Sequence, residues 1–447
     1  MQVTYWLEHA WLDSYVEPGV ALTIADGRIT EVRTGAETPP RGATVLRGLT
    51  LPGLANGHSH AFHRALRGTV QVGSGTFWTW REIMYSVAFH LTPDSYFDLA
   101  RAVYAEMALA GITCVGEFHY LHHQPDGSPY DNPNAMGEAL IAAAAEAGIR
   151  ITLLDTAYLH GGLVRGGYRP LEGAQARFGD GRADRWYERW SQLKGDDHAR
   201  IGAALHSVRA FSDRDGYRTF ADRTRHVPVH IHLSEQLAEN DACLAVHGRT
   251  PARLLGDSGF WGRNTTAVHA THLTGEDIAL LGGAGSAVCM CPTTERDLAD
   301  GIGPAPQLRR AGCSLSLGSD SHAVIDLFEE ARAMELNERL RSRVRGHWTA
   351  AQLLRAASED GHASLGWPEA GRLEAGAFAD FTTIALDSVR TAGPPARLAA
   401  ETAVFAATGA DVRHTVVAGR QIVRDGRHQL IEDVPRALAT AVAAARG

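Results

Sequence analysis

The chain has 447 residues, of which 45% are hydrophobic and 21% charged, and its formal net charge at pH 7 is -8. Such values are typical of a globular protein long enough for a barrel-sized domain and a smaller accessory one. The negative charge, together with the absence of a long basic run, argues against binding to nucleic acids or acidic membranes.

The N-terminal residues MQVTYWLEHAWLDSY lack the basic region of a secretory signal. No run of about 18 uncharged apolar residues predicts a membrane span. The five cysteines include no CxxC pair, which is typical of a reduced protein. We therefore expect a cytoplasmic protein with no membrane partner, and we interpret Cys289 and Cys291 as buried strand residues.

Strand-like patterns at the two chain ends predict a small β domain. Asp26 and Gly27 interrupt VALTIADGRITEVRTG, and Asp425 and Gly426 interrupt HTVVAGRQIVRDGRH. An Asp-Gly pair between two apolar runs favours a tight hairpin turn. We expect one composite β-sandwich domain, made of residues 1–52 and 369–447.

Between these ends, apolar strand-like runs alternate with helix-like segments. The runs lie in GLANGHSH, GITCVGEFHY, GIRITLLDTAY, IGAALHSVRA, VPVHIHLSE, TAVHATHL, AVCMCPTT and CSLSLGSDSH. Eight strand–helix units predict an α/β fold, a (β/α)8 barrel of the TIM type over residues 53–368. Since the C-terminal ends of barrel strands carry the active site, polar residues at these ends are the candidates for function.

Three histidines and one carboxylate at strand ends form a candidate metal site. His58 and His60 are two residues apart on an extended segment, so their side chains point to the same side. His232 ends the fifth run and Asp320 follows the eighth. Such a donor set suits one Zn2+ or Fe2+ with a position left for water. The alternative is a group of polar side chains at the barrel mouth that satisfy one another.

The spacing of these motifs resembles the amidohydrolase superfamily. The resemblance rests on HxH after the first strand, HxxE after the fifth, His after the sixth and Ser-Asp after the eighth. In the mononuclear deaminase branch, it implies one divalent metal ion bound by four residues: His58, His60, His232 and Asp320. Members with two metals use a lysine on the fourth strand, whereas Lys194, the single lysine of this chain, precedes that strand. We therefore expect one ion, zinc or iron.

The resemblance also assigns proton transfer to Glu235 and His269. In such a site the metal lowers the pKa of its bound water toward neutrality. Asp320 and His269 take up or orient the proton of that water, and the hydroxide attacks an sp2 carbon that bears nitrogen. Glu235 then protonates the leaving nitrogen, so the products are ammonia and a carbonyl compound.

Further side chains at the same end of the barrel are candidates for substrate binding: His63, Arg81, Tyr120, His206 and Arg209. Arginine forks suit carboxylates. Arg81, on what we interpret as an aromatic loop, and Arg209 therefore predict two substrate carboxylates, or one carboxylate and one structural ion pair.

Longer stretches carry a closer resemblance to the formimidoylglutamate deiminases. They are HSHAFHRA, TFWTWREIMY, EFHYLHH, HSVRA, HIHLSEQ, VHATH and GSDSH. The resemblance implies zinc-dependent hydrolysis of N-formimidoyl-L-glutamate, a dicarboxylate, to N-formyl-L-glutamate and ammonia in histidine degradation. It places Arg81, Tyr120, His206 and Arg209 at substrate-binding positions, and it implies a homodimer. His63 departs from the family, which has glutamine at this position.

Two other functions remain open at this point. A deaminase of a heterocycle would share the metal site but would rely on aromatic stacking, for which Trp78 and Trp80 are candidates. The second alternative is a catalytically inactive barrel that serves as a scaffold. The intact set of ligands, together with Glu235 and His269, argues against this alternative.

Overall fold

The computed structural model describes residues 2–12, 14–72 and 77–447, without the side chains of Phe77 and Trp78. The predicted stacking role of Trp78 therefore lies outside the described residues. The strands are β1 (Val3–Leu12), β2 (Tyr15–Ala25), β3 (Arg28–Arg33), β4 (Thr44–Pro52), β5 (Leu54–Ser59), β6 (Ile112–His119), β7 (Arg150–Ala157), β8 (Gly162–Val164), β9 (Gly167–Arg169), β10 (Ala199–Leu205), β11 (Val229–Leu233), β12 (Thr265–His269), β13 (Ala287–Met290), β14 (Ser314–Leu317), β15 (Phe381–Ile384), β16 (Val412–Val417), β17 (Arg420–Arg424) and β18 (Arg427–His428).

The structure also contains α-helices. They are α1 (Phe77–His90), α2 (Pro93–Leu109), α3 (Ala135–Ala147), α4 (Ala183–Trp190), α5 (Tyr217–Thr224), α6 (Leu237–His247), α7 (Pro251–Asp257), α8 (Gly275–Ala284), α9 (Pro292–Asp297), α10 (Ala305–Ala311), α11 (Leu327–Ser342), α12 (Ala350–Ala357), α13 (Glu359–Ser364), α14 (Ala399–Phe405) and α15 (Val434–Arg446). Helices separate most of the central strands, as the alternating sequence pattern predicts.

Eight parallel strands of the described chain form the barrel, in the order β5-β6-β7-β10-β11-β12-β13-β14. A parallel bridge between Ser59 and Asp320 brings the ends of β14 and β5 together. Every residue of β6 and β7 is buried, because the barrel interior covers one face of each strand and the helices cover the other. The predicted (β/α)8 fold is confirmed.

A separate sheet joins the two ends of the chain, in the order β18-β17-β16-β15-β4-β1-β2-β3. Strand β4 connects the halves, since it pairs in parallel with β1 and antiparallel with β15. Both predicted hairpin turns occur. Asp26 and Gly27 have φ of 50° and 74°, and Asp425 and Gly426 have 49° and 70°, as a two-residue turn with positive φ at both positions requires.

The C-terminal part of the chain also packs against the barrel. Helix α14 packs on α11 and α12, and α15 packs on α1 and α2. A buried ion pair ties the small sheet to the barrel, since Arg150 Nε donates to Asp380 Oδ2 at 2.6 Å. The domain boundaries after residues 52 and 368 stay a prediction.

Among residues 2–12, 14–72 and 77–447, none of the helices has both the length and the apolar character needed to cross a membrane. All five cysteines are buried and unpaired by disulfides. Cys289 and Cys291 are buried with Val268 in a small apolar cluster, as predicted, but only Cys289 is a strand residue, because β13 ends at Met290 and Cys291 caps α9.

Candidate active site

Four donor side chains meet at the C-terminal mouth of the barrel. His58 Nε2 lies 3.2 Å from His60 Nε2 and 3.1 Å from His232 Nε2. Asp320 Oδ1 lies 3.2 Å from the His58 nitrogen and 3.3 Å from the His60 nitrogen. All four side chains are buried, and one donor atom from each lies within 4.8 Å of the others. The structure thus brings together the four residues that the sequence predicts as metal ligands.

Backbone carbonyls orient two of these imidazoles toward the centre of the cluster. His60 Nδ1 donates to Phe118 O at 2.9 Å, and His232 Nδ1 donates to His206 O at 2.9 Å. Because a carbonyl oxygen only accepts, each ring carries its proton on Nδ1 and presents the Nε2 lone pair to the cluster.

The charge states of the cluster fit a bound cation. Burial lowers the pKa of His58 to about 3, and it holds the pKa of His232 well below its usual value. Burial alone would raise the pKa of Asp320, but the neighbouring His58 and His60 outweigh it and hold that pKa well below its usual range. The imidazoles of His58, His60 and His232 and the Asp320 carboxylate, with their donor atoms facing one another, form a donor set that suits Zn2+ or Fe2+.

Glu117 at the end of β6 supports the segment that carries the first two histidines. Its Oε2 accepts the Ser59 hydroxyl at 2.7 Å, and its Oε1 accepts the Ala61 N–H at 2.6 Å. Both hydrogen bonds flank His60, so this buried carboxylate holds the extended segment that points His58 and His60 in one direction.

Of the three residues predicted to act in catalysis, Asp320 belongs to the cluster, and Glu235 and His269 lie beside it. His269 Nε2 is 3.7 Å from Asp320 Oδ2 and 3.9 Å from Glu235 Oε1. On the other side of the ring, His269 Nδ1 is 3.5 Å from Glu295 Oε1. Burial lowers the pKa of His269, but the carboxylates of Glu235, Glu295 and Asp320 outweigh this effect and raise it to about 10.

Several non-glycine residues at these strand ends have left-handed backbone conformations. Their φ values are 49° for Ser234, 66° for His269, 51° for Ala270, 41° for Asp320 and 56° for His322. Such conformations are unfavourable for residues with a Cβ and persist where the surrounding structure enforces them, often at functional sites. Here they turn the chain sharply where it leaves the barrel.

One cavity connects the cluster with all five predicted substrate-binding side chains. His63, Arg81, Tyr120, His206 and Arg209 line it together with Glu235, His269 and Asp320. Aromatic rings form much of the remaining wall: Trp80, Tyr85, Tyr158 and Phe178. The cavity therefore combines a polar, partly cationic lining with an aromatic one.

The structure corrects the predicted secondary structure around Arg81 and shows which side chains surround His63. Arg81 lies on α1 and not on a loop, because Trp80, Met84, Val87 and Ala88 recur at helical spacing and pack into the core. His63 is buried, with its Nε2 3.2 Å from the Tyr120 hydroxyl and its ring against Trp80.

Two carboxylates of the site were not predicted from the sequence. Glu239 Oε2 lies 2.7 Å from Arg209 Nε, and Glu295 contacts His269 as described above. Glu239 follows Glu235 by four residues, and Glu295 lies shortly beyond the seventh strand. Extending the search for polar residues six positions past each strand end would have identified both.

A second buried group also has the spacing of a metal site. Within the part of the chain that the structure describes, His119, His122 and Asp155 have donor atoms within 4.8 Å of one another. However, Arg189 donates to both oxygens of Asp155, at 2.7 and 3.0 Å. The guanidinium already balances this carboxylate, so we interpret the group as a structural network between β6, β7 and α4.

The single lysine lies far from the barrel mouth. Lys194 is exposed and precedes β10, at the opposite end of that strand from His206. It therefore does not reach the candidate ligand cluster, where a second metal would need a bridging ligand.

Comparisons with known proteins show similarity along nearly the whole chain. The model of the Amidohydrolase family matches residues 49–422. Formimidoylglutamate deiminase of Pseudomonas aeruginosa is 36% identical over 417 residues, 90% of each chain. An 8-oxoguanine deaminase of the same organism is 31% identical over 388 residues, 83% of each chain. The crystal structure of an amidohydrolase from Brucella melitensis has a TM-score of 0.90 and 31% identity, and the match covers 100% of both chains.

Proposed function

The chain belongs to the amidohydrolase family, and from this we propose that it hydrolyses N-formimidoyl-L-glutamate to N-formyl-L-glutamate and ammonia, as a step of histidine degradation. The observation that carries the proposal is a single cavity lined by the candidate ligand cluster and by two arginines, Arg81 and Arg209. The 36% identity to a formimidoylglutamate deiminase over 90% of the chain supports the same substrate.

We assign metal binding to His58, His60, His232 and Asp320. The inward-facing Nε2 atoms and the Asp320 carboxylate support this assignment, because they form one compact group of donor atoms. We propose zinc, which histidine nitrogen and carboxylate oxygen atoms bind in catalytic sites that keep a position for water. When bound, the ion would supply a water activated as a nucleophile near neutral pH.

We assign the proton transfers to three side chains in contact with one another. Asp320 Oδ2 can take up the proton that the attacking water gives up, and His269 Nε2, 3.7 Å from that oxygen, can orient it. Glu235 Oε1 lies 3.9 Å from the same His269 nitrogen. In this scheme Glu235 protonates the amidine nitrogen that leaves as ammonia, and general acid catalysis of this kind contributes about 10²- to 10⁴-fold to a rate.

We assign recognition of the glutamate part to the polar side chains farther from the ligands. Guanidinium forks bind carboxylates in bidentate fashion, which suits Arg81 and Arg209 to the two substrate carboxylates. His206, Tyr120 and His63 line the same cavity, where they can donate hydrogen bonds to the substrate.

A heterocycle is the competing substrate, and a specific observation favours it. Aromatic rings line the cavity, and a relative named 8-oxoguanine deaminase is 31% identical. Stacking would dominate the binding of a planar base, whereas two cationic forks would contribute little to it.

Ammonia release by the zinc-loaded protein tests the proposal. The substrates are N-formimidoyl-L-glutamate and, in parallel, guanine, 8-oxoguanine, cytosine and adenosine. We expect rapid release from N-formimidoyl-L-glutamate alone, and none from the zinc-free protein. Release from a base in its place would contradict the proposed substrate while retaining a hydrolytic deaminase.

A further inference from the structure

Glu239 is a buried carboxylate that the reaction outlined above does not use. It lies in the first turn of α6 and is 2% exposed. Its two oxygens contact different segments: Oε1 accepts the Ser234 N–H at 2.8 Å, and Oε2 lies 2.7 Å from Arg209 Nε. One side chain thus connects the loops that follow β10 and β11.

The first contact stabilises an unfavourable turn. Ser234 has a φ of 49°, a left-handed conformation that residues with a Cβ seldom adopt and that the surrounding structure has to maintain. Ser234 directly precedes Glu235, so this turn determines where the Glu235 carboxylate lies. The hydrogen bond from Ser234 N–H to Glu239 is therefore a restraint on Glu235.

The second contact orients a guanidinium. Arg209 has its Nε next to Glu239 and its Nη2 3.6 Å from Glu235 Oε2. A guanidinium is planar and rigid, so two carboxylates at neighbouring nitrogens of one edge restrict the orientation of that plane. The Arg209 side chain is only 16% exposed, and this small exposed part faces the cavity that it lines.

We propose that Glu239 is a positioning residue that places both Arg209 and Glu235 for the reaction. The roles of Arg209 in binding the substrate carboxylate and of Glu235 in proton transfer are those of the proposed function, on which this inference rests. One carboxylate thereby sets the distance between the substrate-binding cation and the proton-transfer group.

The test uses two substitutions at this position and a matched control. Glu239→Ala removes both contacts, whereas Glu239→Gln keeps a single oxygen and can serve only one of the two partners. Glu335 provides the control, because it is fully buried, accepts the N–H groups of Gly346 and Trp348, and contacts Arg339 Nε at 2.6 Å. It lies on α11, outside the cavity.

We expect Glu239→Ala to raise KM about 10- to 100-fold and to lower kcat about tenfold or more, because charge-assisted contacts of this kind are lost on both sides. Glu239→Gln should lose at least about tenfold in kcat/KM but less than Glu239→Ala. Glu335→Gln and Glu335→Ala should leave both constants within about threefold of wild type. In an Arg209→Ala background, Glu239→Ala should no longer raise KM but should still lower kcat.

Other outcomes would overturn the inference. An unchanged kcat in Glu239→Ala, or a KM effect that persists in full without Arg209, would show that Glu239 does not act through these two groups. A loss that follows reduced zinc content or reduced melting temperature, to the extent seen in Glu335→Ala, would indicate a merely structural role.

A crystal structure of Glu239→Ala tests the positioning role of Glu239 independently of the substrate. We expect Ser234 to leave the left-handed conformation and the Arg209 guanidinium to move by about 1 Å or more. Unmoved positions would refute the inference. Failure of the wild-type protein on N-formimidoyl-L-glutamate would refute the proposed substrate instead.

Discussion

Replacement of Arg209 by alanine tests whether the cavity recognises a carboxylate. Arg209 lies in a largely desolvated position, with its side chain 16% exposed and Glu239 at 2.7 Å. Removing one member of a desolvated, hydrogen-bonded charge pair costs about 2–5 kcal/mol. If the substrate carboxylate forms such a pair with Arg209, kcat/KM falls by roughly 30- to 5000-fold, since about 1.4 kcal/mol corresponds to tenfold.

The assay compares two amidines. N-Formimidoyl-L-glutamate carries the reacting carbon and two carboxylates, whereas formamidine carries the reacting group alone. We expect Arg209→Ala to lower kcat/KM for N-formimidoyl-L-glutamate by the full factor given above, and to lower kcat/KM for formamidine by less than about fivefold. Arg249→Ala, which removes an exposed arginine paired with Asp257, serves as the control and should leave both unchanged.

The same substitution leaves Glu239 buried without its cation. Burial already raises the pKa of Glu239, while Arg209 and the Ser234 N–H oppose this rise. Melting temperature and zinc content therefore have to accompany the kinetics. Equal losses on the two amidines in a folded, zinc-loaded variant would refute the reasoning, because they would show that Arg209 acts on the reacting group or on the fold and not on the tail.

Four further substitutions separate the other assigned roles. Glu235→Gln should keep its zinc and lose about 10²- to 10⁴-fold in kcat; near-normal turnover would remove this residue from proton transfer. His58→Ala should lose both zinc and activity, so a stoichiometric zinc content measured by mass spectrometry would contradict its role as a ligand. His63→Gln introduces the residue expected in the formimidoylglutamate deiminases, and we expect it to change KM by less than about tenfold with kcat preserved; loss of kcat would indicate that His63 contacts the reacting group. His362 tests pH dependence: burial lowers its pKa to about 4, so its contribution to stability is present above pH 6.5 and is lost as the pH falls through about 4. Between pH 7 and pH 5 the wild type should therefore lose about 2 kcal/mol more unfolding free energy than His362→Gln, and parallel urea curves would contradict this.

Local patterns carry much of the information about this fold. Alternation of buried strands and helices, and the Asp-Gly turns at both ends, depend on neighbouring residues, and the barrel and the chain-end hairpins follow from them. The candidate ligands could be located for a related reason. In a parallel barrel all strand ends open on one side, so a histidine or carboxylate at the end of any strand faces that side whatever the packing details.

Other features depend on contacts between distant segments. The resemblance of Arg81 and its neighbours to a known motif says nothing of their conformation, and packing against the barrel makes them a helix. Helices α14 and α15 bury their apolar faces on α11 and α12 and on α1 and α2, respectively. A strand pattern in the surrounding sequence does not reveal this placement.

The sequence by itself determined which residues at this barrel mouth are candidates for chemistry. The pattern that marks each strand involves only residues close together in the chain, and so does the order of the strands. Only the tertiary structure decided which of them touch. The pairing of Glu239 with Arg209 and of Glu295 with His269 joins residues on different βα units. Their charge states depend on burial, which arises when those units close around the cavity.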